Sequence, residues 1–568
     1  MSLRHRPRAV PWLLAVVLAA GCASAQPRWD LSDRVESATG SRAMVVSAHP
    51  LATAIGVEVL RRGGNAADAA VAVGFALAVV HPAAGNLGGG GFLLLREADG
   101  TVAALDYRET APALATPGMY VGADGKAMQE GLVGPLAAGV PGSVAGLAEL
   151  LARHGRLPLA DLIAPAVALA RGGFALDEER CRDIDEESDR LARFPASAAI
   201  FLPRGVPPVV GDRLVQEDLA RTLEAIAREG PSAFYRGWIA DRIVEEMRRG
   251  GGLVSHQDLA GYRPIWRDPV TFTYRGYTVH SMPPPSSGGV ALAEILNMLE
   301  EGPPAPPGSV AQQHFLAEVM RRAFADRNYY LGDPEFVAMP LAELVSQTYA
   351  AGRLADFDPL QASRSETIAP GLPEPTHTTH YTIADAEGMV VGVTTTINSS
   401  FGSAALVSGA GFLLNNEMDD FTTAPGQPNQ FGLIQGEANA IRPGKRMLSA
   451  MAPTLVVDPA GQVRLALGSP GGPRIISAVA QVIVNVVDYG MSLPAAVAAP
   501  RIHHQHLPDR LVYERGGLAS ANRRQLEAMG HVLEPRDGPI GQVAAILRTP
   551  HGWVGVADPR MQGGAAGY

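Results

Sequence analysis

Cysteine is nearly absent from this chain of 568 residues: only Cys22 and Cys181 occur. Loss or modification of Cys22 would leave Cys181 without an intramolecular partner, so no disulfide framework holds the fold. Charge is also sparse, at 18% of residues, and its balance is acidic, with a formal net charge of -10. No basic stripe offsets that charge, so the surface repels phosphate backbones and nucleic acid is not a partner. Long apolar runs are missing as well. Beyond the N-terminus the strongest is Ala66 to Val80, which Asp68 and Gly74 interrupt and which is too short to span a bilayer. An all-round apolar segment of this length reads as a buried core helix, with Asn65 as N-cap and His81-Pro82 as its end. A hydrophobic content of 47% excludes disorder, and the length implies a large domain or two intimately packed halves.

What is present begins with an export signal. Arg4, Arg6 and Arg8 form a basic region ahead of the short apolar run Ala9 to Ala20. Leu18-Ala19-Ala20-Gly21-Cys22 resembles a bacterial lipoprotein signal, cut after residue 21, with Cys22 as the lipidated first residue. Ala19 stands there in the place usually held by Leu. Ala23-Ser24-Ala25 offers an ordinary small-x-small site, cut after residue 25. Either cut predicts an exported protein, periplasmic or lipid-anchored to the cell envelope. Removing residues 1–21 takes away three arginines and no acid, which leaves the mature chain three units more negative.

Along the mature chain, Gly88-Gly89-Gly90-Gly91 leads into an apolar strand, Phe92 to Leu95. No Lys-Ser/Thr follows and no helix begins there, so a phosphate-binding reading is weak. Residues from about 140 to 330 read as mainly helical, for example Ser309 to Tyr330. Met282 to Gly289 and Gly302 to Gly308 are loops. Pro370, Pro373 and Pro375 make an extended connector. Beyond it, His380 to Ala384 and Met389 to Asn398 alternate as strands around the turn Asp385 to Gly388. Further strands are predicted at Thr454 to Val457 and Val463 to Leu467, with helices again after Ile475. Together these elements predict sheets covered by helices.

The connector runs directly into Thr376-His377-Thr378-Thr379-His380-Tyr381. A Thr-Thr pair can simply start a strand. A cut between His377 and Thr378 would give Thr378 a free α-amine beside its own hydroxyl. Such an amine has a pKa of about 7.7–8.0, so near neutrality much of it can serve as a base. The same hydroxyl could make the cut by attacking the His377 carbonyl.

Motifs in order decide between these readings. They include Gly63-Gly64-Asn65-Ala66-Ala67-Asp68, the glycine run, Leu105-Asp106-Tyr107-Arg108-Glu109-Thr110, and Ala323-Phe324-Ala325-Asp326-Arg327. After Thr378 come Asn415-Asn416-Glu417-Met418-Asp419-Asp420-Phe421, Pro443-Gly444-Lys445-Arg446, Gly468-Ser469-Pro470-Gly471-Gly472 and Ala499-Pro500-Arg501-Ile502-His503-His504. In this order the chain resembles the γ-glutamyltranspeptidases, which are N-terminal-nucleophile hydrolases, over nearly its whole mature length.

The resemblance implies an α/β fold, a four-layer αββα sandwich built from a large subunit (22–377) and a small catalytic subunit (378–568) of one cleaved precursor. It implies transfer of the γ-glutamyl group of glutathione and related donors to water, or to amino acid or dipeptide acceptors, through an ester on Thr378. By the same resemblance Thr396 orients Thr378, and the backbone N–H groups of Gly471 and Gly472 form the oxyanion hole. Arg108, with Ser449, holds the donor's α-carboxylate; Asn398, Glu417 and Asp420 bind its α-amino acid end. Neither a metal nor a cofactor is implied. The residue types fit this chemistry, since a γ-glutamyl group presents an ammonium, a carboxylate and a carbonyl. Strand periodicity also places Thr394, Thr396 and Asn398 on one face.

Two positions depart from the family pattern. Ala450 stands where a second consecutive serine is usual, and the lost hydroxyl is worth about 1 kcal/mol of donor affinity. Phe431 takes the place of a common Tyr in the lid-like loop Pro425 to Phe431. His503, His504 and His506 form no convincing metal site, because neighbours in a strand face opposite ways. Rival readings are an acylase acting on another amide, and a non-catalytic exported solute-binding lipoprotein.

Overall fold

The computed structural model describes residues 31, 34–123, 128–368, 378–422 and 437–568. Local rules account for its first core helix, Ala66–Val80, all of whose residues are buried. Asn65 accepts the Asp68 N–H at 3.0 Å, and Asp68 Oδ2 accepts the Asn65 N–H at 2.9 Å, a capping box. The other oxygen of Asp68 accepts the N–H groups of Arg156 and Leu157. The acid that interrupts the apolar run is therefore the group that fixes where the helix begins.

Two seven-stranded antiparallel sheets form the centre. The first runs Glu36–Gly40, Gly552–Ala557, Ala544–Thr549, Val463–Gly468, Thr454–Val457, Tyr277–Ser281 and Val270–Tyr274. The second runs Gly564–Gly567, Met44–Ser47, Thr379–Ala384, Val390–Thr396, Gly90–Arg96, Val102–Asp106 and Ile265–Arg267. Period-two alternation sorts the second sheet's side chains. Val45, Leu93, Leu95, Tyr381, Ile383, Val391 and Val393 pack towards the helix Ala66–Val80 and its neighbours. Met44, Val46, Phe92, Leu94 and Val390 pack towards the first sheet. The far face of that sheet is covered by Gly288–Glu301, Val310–Tyr330 and Arg474–Val487. The order is helix, sheet, sheet, helix: the four-layer αββα sandwich of an N-terminal-nucleophile hydrolase. Both sheets draw strands from either side of the 377/378 boundary.

The stretch 140–330 is less helical than its composition implies. It supplies Ile265–Arg267 and the hairpin Val270–Tyr274/Tyr277–Ser281, whose two-residue turn is Arg275 (φ 49°) and Gly276 (φ 82°). Arg-Gly is a weak turn signal beside Asn-Gly, and the edge strands are short and half-exposed. The C-terminal quarter likewise returns to strands, at Ala544–Thr549, Gly552–Ala557 and Gly564–Gly567. No helix among the described residues is long and apolar enough to cross a membrane.

Candidate active site

Thr378 stands at the head of Thr379–Ala384, a central strand of the second sheet, and is partly exposed. The antiparallel register pairs Thr379 with Thr395 and His380 with Thr394. Continuing it by one residue puts Thr378 opposite Thr396. On the far side of Thr396 lies Gly90. A Cβ on Gly89 would sit 2.1 Å from the Thr396 carbonyl oxygen, and one on Gly90 would sit 2.5 Å from Glu109 Oε2. The glycine run therefore lets backbone close on the site strand and on an acid, and it begins a strand, as its sequence suggested. His380 bonds Thr394 Oγ1 at 2.8 Å and Thr382 Oγ1 at 2.9 Å between the sheets. Burial lowers its pKa to about 3, so it is a neutral packing group.

A small cavity opens beside Thr378. Arg108, Thr396, Asn398, Glu417 and Asp420 line one side of it; Ser449, Ala450 and Gly472 line the other. Eight residues selected from sequence thus meet at one place. The two acids are buried rather than solvated, as spacing alone would have had them. They sit on the single 3-10 turn Glu417–Asp420, which Asn415 and Asn416 tie down. Asn415 Oδ1 accepts from Glu417 N and Gly139 N, and Asn416 accepts from Asn398 Nδ2. Arg108 Nη1 lies 2.9 Å from Glu417 Oε2, and Nη2 donates to Asp420 Oδ2. The cation and the acids, assigned to opposite ends of a zwitterion, pair with each other in this state. Such a cluster satisfies charges that would otherwise be buried alone.

Glu109 was not picked out as a site residue. Its carboxyl group is fully buried, 3.8 Å from Arg108 Nη1, and neither oxygen has a hydrogen-bond partner among the described residues. Burial, then the charge of Glu417, pushes its pKa well above the usual range, so Glu109 retains its proton. Burial raises Glu417 too, but Arg108 pulls it back. The adjacency of Glu109 to Arg108 was the only sequence signal for it.

Asn398 reaches the cavity by a different route from the one strand periodicity gave. The strand ends at Thr396, and Asn398 has φ 71°, a left-handed conformation that Asn tolerates. Thr396 Oγ1 accepts the Asn398 N–H at 2.7 Å, which fixes this departure. On the opposite wall, the Met282–Gly289 loop, read from sequence as a plain connection, carries Ser449. Ser287 N and Oγ each donate to the Ser449 carbonyl at 2.6 Å, and Ser286 Oγ donates to Met451 O at 2.6 Å.

Gly471 and Gly472 have φ of 131° and 60°, values that exclude most other residues. They precede the fourteen-residue helix Arg474–Val487, whose dipole places positive potential at their amides. Neither N–H has an acceptor among the described residues. Gly471 lines a second, wider cleft that also reaches Thr378. His377 and the loop Pro425 to Phe431 lie outside the described residues. The three C-terminal histidines take separate partners: His503 bonds Ser477, His504 bonds Asp509, and His506 bonds the Ser365 and Ile368 carbonyls.

The family model described as Gamma-glutamyltranspeptidase matches residues 52–568. The glutathione hydrolase proenzyme of Escherichia coli (strain K12) is 44% identical over 96% of this chain and 97% of its own length. That of Pseudomonas sp. (strain A14) is 46% identical over 92% of this chain and 94% of its own. A cephalosporin acylase from Bacillus halodurans has a similar crystal structure, with a TM-score of 0.83 at 28% identity, covering 100% of this chain and 99% of that one. Sequence, architecture and site converge, and the chain belongs to the γ-glutamyltranspeptidase family.

Proposed function

We propose that this protein is a self-processing γ-glutamyltransferase and glutathione hydrolase in which Thr378 is the nucleophile of both maturation and catalysis. In maturation the Thr378 hydroxyl attacks the His377 carbonyl, the peptide nitrogen leaves as the Thr378 α-amine, and water hydrolyses the resulting ester. The products are a large subunit, residues 22–377, and a small subunit, residues 378–568. In catalysis that amine takes the hydroxyl proton while Oγ attacks the γ-carbonyl of the donor. The oxyanion is received by the N–H groups of Gly471 and Gly472 at the helix terminus. Collapse breaks the amide C–N bond, and the leaving amine takes the proton. Water then releases glutamate, or an amino acid or dipeptide amine takes the γ-glutamyl group.

Recognition of the donor follows from the charge cluster. The donor's α-carboxylate goes to Arg108 and Ser449, and its α-ammonium to Glu417, Asp420 and Asn398. The zwitterion exchanges into ion pairs that already exist, so no charge is left alone. Thr396, opposite Thr378, orients the nucleophile. The observation that carries the reading is the meeting of Thr378, this cluster and Gly472 around one cavity. An acylase reading, prompted by the B. halodurans neighbour, is less apt, because an acyl chain without an α-amino acid end would leave the cluster unused.

The N-terminal segment is proposed as an export signal, cut after residue 21 with lipid on Cys22, or after residue 25 without it. The test pairs electrophoresis with an assay on a γ-glutamyl anilide. The protein should resolve into two chains and turn the anilide over. A single intact band, or a Thr378→Ala protein that is still cut and active, would sink the reading.

A further inference from the structure

The wider cleft beyond Thr378 has a cavity volume of about 910 Å³ and is lined by charged residues of both signs. The helix Glu178–Glu186 with Glu187 contributes five acids to the lining, Asp183 and Glu186 among them, against one cation, Arg182. Arg474, the first residue of the helix after Gly471-Gly472, also lines it, together with Arg536 from the strand Leu533–Arg536 and Asp537, which is paired with Arg515.

These two arginines differ from most others in the interior. Arg108, Arg321, Arg322, Arg501 and Arg560 all pair with carboxylates. Arg474 has no ion-pair or hydrogen-bond partner among the described residues, and its Nε is buried without an acceptor. Among the described residues the Arg536 side chain donates only to the Pro539 carbonyl, at 3.3 Å. Burial lowers the pKa of Arg474 to about 9, and the nearby charge of Arg536 adds to the effect. Both remain cationic at neutral pH. Glu534 and Glu514 act on Arg536 only from beyond ion-pair distance. Two neighbouring guanidiniums with no carboxylate in ion-pair contact among the described residues, facing a cleft that ends at the nucleophile, are costly unless an anion visits them.

We propose that Arg474 and Arg536 form a carboxylate subsite for the part of the substrate beyond the scissile bond: the C-terminal carboxylate of the leaving peptide during acylation, and that of a dipeptide acceptor during transfer. The inference rests on the acyl-transfer reading given above. Leaving group and acceptor occupy the same side of the Thr378 ester, because the attack of an acceptor amine is the reverse of the departure of a leaving amine. In glutathione the leaving cysteinylglycine bears one carboxylate, on its terminal glycine. A guanidinium beside the oxyanion glycines can hold that group while the amine faces the ester carbon. The acids of Glu178–Glu187 in the same lining repel a carboxylate, and so favour the peptide with its anionic end at Arg474.

The test compares carboxylates with their carboxamides on the mature enzyme. Acceptors are glycylglycine and glycylglycinamide with a γ-glutamyl anilide donor; donors are glutathione and its C-terminal amide. For the wild type, kcat/KM should favour each carboxylate at least fivefold. Arg474→Gln should cut that preference to about twofold or less, Arg536→Gln should reduce it in part, and Arg474→Lys should retain most of it. A wild type indifferent to the carboxylate would overturn the subsite, as would an Arg474→Gln or Arg536→Gln protein that loses both substrate types equally. If Arg474→Gln precursor is not cut, the wild-type ratio and Arg536→Gln decide the matter. Anilide turnover by the wild type reports separately on the γ-glutamyl reading, so the two failures are distinguishable.

Discussion

The two spaces that meet at Thr378 are built on opposite plans. On the donor side, the cavity beside Arg108, Glu417 and Asp420 measures about 10 Å³, room for roughly one water, and its charges are already paired. On the other side lies a cleft of about 910 Å³ lined by the acids of Glu178–Glu187 and by Arg474 and Arg536, which make no ion pair among the described residues. The first can accept only a group that replaces its internal partners one for one. The second tolerates many shapes and sorts them by charge. On the proposed reading, a strict donor side and a permissive acceptor side are what transfer of one acyl group to varied amines requires.

The largest blow to this contrast is at the point the two spaces share. Thr378→Ala should abolish the cut and lower turnover of any donor by roughly 10⁴-fold or more, read by electrophoresis and by anilide release. Next comes the donor side alone. Asp420→Ala leaves Arg108 one carboxylate short in a buried site, so donor kcat/KM should fall roughly 10²–10³-fold and the melting temperature should drop. An equal effect on acceptor KM would erase the distinction between the spaces.

A finer probe is Ala450→Ser, which puts back a hydroxyl beside Ser449. Donor KM should fall by about fivefold with acceptor KM unchanged, since one added hydrogen bond is worth about 1 kcal/mol. The smallest effect belongs to the acids of Glu178–Glu187. Burial, then Glu179, raises the pKa of Asp183 to about 7; Arg180 and Arg182 oppose this and Glu186 adds to it. As pH rises from 6 to 8 the group passes from neutral to anionic. The KM of a carboxylate acceptor should then rise about twofold relative to its carboxamide, the size expected for one charge across a solvated gap. Asp183→Asn should abolish that drift. A drift that persists in the variant would assign it to another group.

Much of this arrangement was legible before the fold was known, and the parts that were not share a cause. Asn65 announces a helix start, and the helix begins where it puts it, while Asp68, read as an interruption, completes the cap. The strands on either side of Asp385-Ala386-Glu387-Gly388 were visible through alternation and a turn, both local signals. By contrast, Glu109, Ser286, Ser287 and Arg474 matter through partners or spaces contributed by distant segments. Ser287 supports Ser449 across 162 positions, and no window of sequence contains both. Asn398 lies between these cases: it lines the cavity beside Thr378, yet the left-handed backbone that puts it there ends the alternation on which the reading leaned.

The sharing of both sheets across residue 378 has a consequence for the life of the molecule. Before the cut, bringing Thr379–Ala384 beside Met44–Ser47, or Thr454–Val457 beside Tyr277–Ser281, is a matter of one chain closing on itself. After it, the same pairings would have to be made between two separate polymers, at a rate set by their concentration. Maturation thus converts a reversible unimolecular folding problem into an assembly that cannot be rehearsed. A denatured mature enzyme should regain activity far less readily, and more steeply with dilution, than a denatured Thr378→Ala precursor regains its structure. What keeps the working enzyme alive is then the height of its unfolding barrier rather than its equilibrium stability.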